Sequence, residues 1–199
     1  MKRSASRPLI VGIGGTARPG SSTEQALALA LAAAADAGAD TRIFGGEQLA
    51  RLPHYLSPGS DVAGAELVAA VRAADGLVIA SPGYHGSISG LVKNAIDYIE
   101  DTSRDERVYL DGVPVGLIAT AYGWQATAST IATLRSIVHA LRGWPTPLGA
   151  GIKTESGTFA NGICHDPAAA AQLTLVGRQV VQFATMHISD PSLTGTGQA

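Results

Sequence analysis

Short runs that are apolar throughout alternate along this chain with longer stretches of helical periodicity. Leu9 to Ile13, Leu77 to Ala80 and Val113 to Thr120 have no polar alternation, so they read as strands covered on both faces rather than as one wall of a half-solvated sheet. Thr41 to Phe44 and Pro145 to Ile152 are weaker strand candidates of the same kind. Between them the pattern predicts helices over Thr23–Ala37 (closed by Gly38), Glu66–Ala74, Ile88–Glu100, Thr127–Leu141 and Ala168–Ala184. Leu52 to Asp61, polar and proline-containing, reads as a loop. Five buried strands interleaved with helices imply a doubly wound parallel α/β sheet. Ligands of such sheets bind beyond the carboxyl ends of the strands, where the strand order reverses. The segments that follow strands one, three and four therefore carry the search for chemistry.

Composition narrows the class. The chain has 199 residues, 46% hydrophobic and only 15% charged, with a net charge of −2. That length suits one domain, expected over residues 8–188, with the polar segments 1–7 and 189–199 as loose ends. The near-neutral charge offers no basic stripe for nucleic acid. The single cysteine, Cys164, excludes an internal disulfide framework and a multi-cysteine zinc site, and the five histidines show no metal-ligand spacing, so no metal is expected. No apolar run approaches the ~20 residues of a membrane helix. The basic start, Met1-Lys2-Arg3, precedes an apolar stretch too short for a signal peptide, which places the expected protein in the cytoplasm.

After strand one comes Gly14-Gly15-Thr16-Ala17-Arg18-Pro19-Gly20-Ser21-Ser22-Thr23-Glu24. A helix start presents unpaired N–H groups and a partial positive charge to an anion. Thr16, Ser21, Ser22 and Thr23 can donate hydroxyl hydrogen bonds to phosphate oxygens, and Arg18 adds a charge-assisted one. Ser21 with Glu24 also fits a capping box, which accounts for those two residues alone. Gly12 to Ala17 matches the dinucleotide fingerprint, yet Pro19-Gly20 would fall inside that motif's helix. Strand two ends in Phe44-Gly45-Gly46 instead of the ribose-binding acid. A terminal monophosphate fits this loop better than a pyrophosphate. After strands three and four come Ser81 to Ser89 and Thr120 to Gln125. Tyr84, Tyr122 and Trp124 all fall there in a chain with only 5% aromatic residues, which favours a planar ligand held by stacking and backbone hydrogen bonds.

Pro82-Gly83-Tyr84-His85-Gly86-Ser87-Ile88-Ser89-Gly90-Leu91-Val92-Lys93-Asn94-Ala95-Ile96-Asp97 resembles the P-E-Y-N-x-S-[IL]-P-G-x-[LF]-K-N-A-[IL]-D motif of the NAD(P)H-dependent FMN reductases, which are flavodoxin-like flavoproteins. Gly15 to Thr23 resembles their phosphate loop, and Thr120 to Gly123 with Leu134-Arg135 their third segment. The resemblance covers most of residues 8–150. It departs from the motif at Gly83 for the acid, His85 for Asn and Ser89 for Pro. It implies a five-stranded sheet in the order 2-1-3-4-5. It also implies that Thr16, Arg18, Ser21, Ser22 and Thr23 hold the FMN phosphate. Pro82, Gly83, Tyr84, His85, Gly86 and Ser87 would frame the isoalloxazine ring, and Thr120, Tyr122 and Gly123 would approach its other side. Lys93, Asn94 and Asp97 read as structural, with Asp97 pairing to a neighbouring backbone group.

The chemistry implied is hydride transfer from NADPH or NADH to FMN, then electron transfer to a flavin, a quinone or a partner monooxygenase, with no side chain as catalyst. The backbone N–H groups of Gly86, Ser87 and Gly123 are the expected donors to the reduced ring. Arg42, Arg104 and Arg107 are the candidates for a nucleotide 2′-phosphate. The family is dimeric or tetrameric, and Leu91, Ile96, Ile131, Leu134 and Val138 give this chain more apolar helix surface than one buried face needs. Two other classes remain open: a flavodoxin-type FMN carrier without nicotinamide chemistry, and a phosphate binder or hydrolase that takes no flavin.

Overall fold

The computed structural model describes residues 7–59 and 62–189. The order is β1 (Leu9–Gly14), α1 (Ser22–Asp36), β2 (Asp40–Phe44), α2 (Gly46–Leu49), α3 (Ala65–Ala73), β3 (Gly76–Tyr84), β4 (Ser87–Ile88), α4 (Gly90–Asp97), β5 (Pro114–Ala121), α5 (Trp124–Ala140), β6 (Trp144–Lys153), β7 (Phe159–Ala160), β8 (Ile163–Cys164) and α6 (Pro167–Ser189). The parallel sheet runs β2-β1-β3-β5-β6, with β4 folded back on β3. Once that hairpin strand is counted, this is the expected flavodoxin-like order 2-1-3-4-5.

The three runs without polar alternation are the three central strands, and their residues are buried almost throughout. One core lies beneath α3, α4 and α5 and contains Val11, Leu77, Leu117, Leu134 and Val138. The other lies beneath α1 and α6 and contains Ile10, Leu27, Val78, Ile118, Val176 and Val180. Alternate residues of one strand feed opposite cores, as a pleat of period two requires.

Several boundaries differ from the sequence reading. Ile88 belongs to β4, and α4 starts two residues later because the Ser89 hydroxyl caps it, accepting from Val92 N–H (3.2 Å). After Asp97 the chain tightens into a 3₁₀ turn, Tyr98–Thr102. The final helix runs five residues past Ala184, to Ser189. Arg7, placed by the sequence in a loose end, donates to the carbonyls of Gly38 and Ala39 (3.1 and 2.9 Å). The remaining residues of the two expected loose ends, apart from Ser189, lie outside the described residues. The β7–β8 hairpin and α2 carried no apolar periodicity and were not expected.

β6 has an irregularity that bears on the sheet edge. Pro145 pairs with Val115 and Gly149 with Leu117, so four steps of β6 match two of β5. The bulged backbone is satisfied by side chains: Arg135 donates to the carbonyls of Thr146 and Pro147, and Leu148 N–H donates to Gln179 Oε1 (3.1 Å). Arg135, grouped by sequence with the third family segment, thus braces an edge. No helix among the described residues is long and apolar enough to cross a membrane.

Candidate functional site

Three loops leave the carboxyl edge of the sheet at one level. Gly14 pairs with Ala80, Pro82 with Thr120, and Thr120 with Ile152. The register therefore brings the three segments singled out by sequence side by side.

The first loop is pressed against the turn after β2. A Cβ on Gly46 would lie 1.7 Å from the Thr16 carbonyl oxygen, and one on Gly15 would lie 2.7 Å from Gly46 N. Glycine is required there because backbone meets backbone. Within the loop Thr16 Oγ1 accepts from Arg18 N–H (3.2 Å). Ser21 caps α1 by accepting from Glu24 N–H (3.3 Å). Only half of the capping box forms, since Glu24 Oε2 accepts from Gly20 N–H (3.1 Å) instead of from Ser21. Thr23 Oγ1 lies 2.6 Å from Thr120 Oγ1, and the two residues are 2% and 4% exposed. That bond ties the start of α1 to the end of β5 beneath the loop. Thr16, Ser21, Thr23 and Thr120 therefore shape the site from within. Arg18 is exposed, and its guanidinium has no ion-pair or hydrogen-bond partner among the described residues. The Ser22 side chain and the N–H groups of Ser22 and Thr23 are likewise unengaged there. These are the donors an anion would meet.

The second loop is a tight hairpin. Tyr84 pairs with Ser87, and His85 (φ 50°) and Gly86 (φ 84°) turn the corner. Two successive left-handed residues belong to the mirror-image turn that suits a two-residue hairpin. His and Asn are both among the side chains that tolerate this region, so His85 keeps the backbone role of the motif's Asn. Gly83 also has a structural reason: a Cβ there would lie 2.8 Å from Thr130 Oγ1 on α5. Ser81, missed by the sequence reading, is fully buried, accepts from Ser89 N–H (3.0 Å) and donates to the Pro82 carbonyl (2.9 Å). Proline at residue 89 would remove the first of these bonds. Asn94 pins the 52–55 segment, accepting from Tyr55 N–H and donating to the Pro53 carbonyl (both 2.9 Å). Asp97 pairs with Lys93 (2.5 Å) rather than with a backbone group.

The third loop carries Tyr122 and Trp124, 88% and 63% exposed, and Tyr84 across from it is 51% exposed. None of the three serves the core. Cβ positions on Gly20, Gly86 and Gly123 would meet nothing within 4 Å, so all three loops have an open side. A free cation with helix N–H donors at one end and solvent-facing aromatic rings at the other fit a phosphate-bearing planar cofactor such as FMN.

The family model described as NADPH-dependent FMN reductase matches residues 8–154. The chain belongs to that family. An FMN-dependent NADPH-azoreductase of Staphylococcus haemolyticus is 42% identical over 77 residues, 39% of this chain and 37% of that protein. The chain thus matches well under half of that relative's length. Among solved structures, the flavoenzyme NAD(P)H:(acceptor) oxidoreductase FerB of Paracoccus denitrificans superposes with a TM-score of 0.73 at 20% identity, over 90% of this chain and 98% of that one. A flavodoxin, WrbA-like protein of Agrobacterium tumefaciens gives 0.62 at 17%, over 90% and 99%. These two likenesses establish the fold. In this FMN reductase family member two of the arginines named for a 2′-phosphate are already engaged. Arg107 donates to the carbonyls of Val71, Arg72 and Ala74 at the end of α3, on the amino edge of the sheet. Arg42 pairs with Glu66 at the start of α3 and stacks over Phe44 at the end of β2.

Proposed function

We propose that the protein is a flavin reductase that consumes a reduced nicotinamide nucleotide and holds FMN at the carboxyl edge. The observation that carries this reading is the convergence, within the family-matched region, of a free Arg18 at a helix start and three exposed aromatic rings on the two neighbouring loops. When bound, FMN supplies the redox chemistry, taking hydride from the nicotinamide and passing electrons on. Arg18, Ser22 and the first N–H groups of α1 hold the phosphate. Tyr84 and the His85-Gly86 turn frame one side of the ring, and Tyr122 and Gly123 the other. The N–H groups of Gly86 and Gly123, in loops with an open side, donate to negative charge as it develops on the ring. Fixing both ring walls on strand ends lowers the entropic cost of bringing the reactants together.

The electrons pass to a second flavin, a quinone, an azo compound or a partner monooxygenase. We place the protein in the cytoplasm as a homodimer or homotetramer. Purified protein mixed with FMN and NADH or NADPH should consume the nucleotide, read at 340 nm. A protein that binds FMN and oxidises neither nucleotide is a flavodoxin-type carrier. One that binds no FMN is a phosphate binder of another kind.

A further inference from the structure

One depression at the carboxyl edge borders the third loop at Trp124 and otherwise lies outside the three loops. It has a volume of about 350 Å³ and is lined by Trp124, Lys153, Glu155, Thr158, His165 and Asp166 with two small residues between them. All but Trp124 and Lys153 lie beyond the family-matched region. Its floor is continuous with the site, because Lys153 pairs with Ala121 and Thr154 N–H donates to the Ala121 carbonyl (2.8 Å). The depression therefore begins one strand spacing, about 5 Å, from the Tyr122-Gly123 loop. Its wall is built rather than loose. Glu155 N–H donates to Thr158 Oγ1 (2.8 Å), Thr158 N–H to the Glu155 carbonyl (3.1 Å) and His165 N–H to the Thr158 carbonyl (2.9 Å). The Gln25 amide links the hairpin to the phosphate loop, accepting from Gly162 N–H (3.2 Å) and donating to the Gly20 carbonyl (2.8 Å).

The lining chemistry selects a ligand. Trp124 offers an exposed indole face for a flat base. Lys153 and Glu155 neutralise each other (2.7 Å), and Asp166, whose Oδ1 accepts from Ala168 and Ala169 N–H at the start of α6, leaves the lining with one unbalanced negative charge. Carboxylates accept from ribose hydroxyls and repel a phosphate in the same place. No arginine lines the depression, and the one free guanidinium of the neighbouring loops, Arg18, serves the FMN phosphate.

We infer that this depression takes the adenosine end of the nicotinamide co-substrate with its 2′-hydroxyl free, and so selects NADH over NADPH. The inference rests on the reductase reading, since a nicotinamide lying over the ring leaves its adenosine within reach of the next strand end.

The test uses the full chain loaded with FMN and carrying W144F, so that Trp124 is the only tryptophan. NAD⁺ should quench its emission at a concentration at least tenfold below that needed for NADP⁺, and E155K should close that gap. In the kinetics, W124A should raise KM for NADH about tenfold with kcat little changed and with unaltered sedimentation. Consumption of reduced nucleotide with no quenching by either form overturns the inference and leaves the reductase reading standing, as does tighter quenching by NADP⁺. Loss of the assembly in W124A without a change in KM also overturns it, by making Trp124 a subunit contact. Quenching by NAD⁺ with no turnover of any nucleotide keeps the pocket and defeats the reductase reading.

Discussion

Arg18 has no other task among the described residues, so its removal tests the phosphate assignment without disturbing the fold. Replacing it with alanine should weaken FMN binding by about 1.5–3 kcal/mol, the range for a hydrogen bond to a charged group, with the melting temperature of the FMN-free protein unchanged. Flavin fluorescence titration measures the first and thermal denaturation the second. Arg18 stood out in the sequence because a lone cation in a glycine- and hydroxyl-rich loop has few structural uses, and the structure leaves its side chain exposed. Thr23 was not. A hydroxyl at a helix start has the same appearance in sequence whether it faces a ligand or the strand behind it, and only the packing of α1 on β5 turned it inward. The substitution of His for Asn at residue 85 was visible, but its harmlessness to the backbone was not, since that depends on the left-handed φ of the turn.

At the scale of elements, the Thr23–Thr120 bond is the joint between the first and third loops. Two buried hydroxyls that satisfy each other give a characteristic mutational signature. Either Thr→Val change alone strands a buried polar partner and should cost about 1–3 kcal/mol, whereas the double change should cost far less than the sum. Denaturant unfolding of the two single variants and the double variant completes the cycle, and simple additivity would show that the hydroxyls act separately. The strands and long helices were readable because their apolar periods are unambiguous over many residues. The β3–β4 hairpin and the β7–β8 hairpin were not, because two-residue strands carry no period. Their positions come from left-handed turns at His85-Gly86 and Asn161-Gly162. The adenosine pocket lay hidden for the same reason. Its residues are polar, contain no motif and meet Trp124 only after the sheet forms.

For the molecule as a whole, one titration links the loop beside α4 to stability. Burial and the hydrogen bond to Asp101 (3.0 Å) push the Tyr55 phenol up to about 12 from its usual 10. A raised folded-state value means that this contribution is intact below pH 10 and is lost as the pH climbs from 10 towards 12. Over that window the wild-type protein should lose more stability than Y55F, as chemical denaturation at successive pH values would reveal. Equal losses would detach Tyr55 from the effect.

The outer strand β6 has a different consequence. Two prolines without N–H groups, a bulge whose carbonyls are occupied by Arg135 and an amide taken by Gln179 leave little backbone for a foreign strand to read. Along residues 145–148 that border is closed to extension of the sheet by another copy of this chain. An assembly seated on that stretch is built from side chains, one finite patch against another, and so can close on itself instead of growing into a fibre.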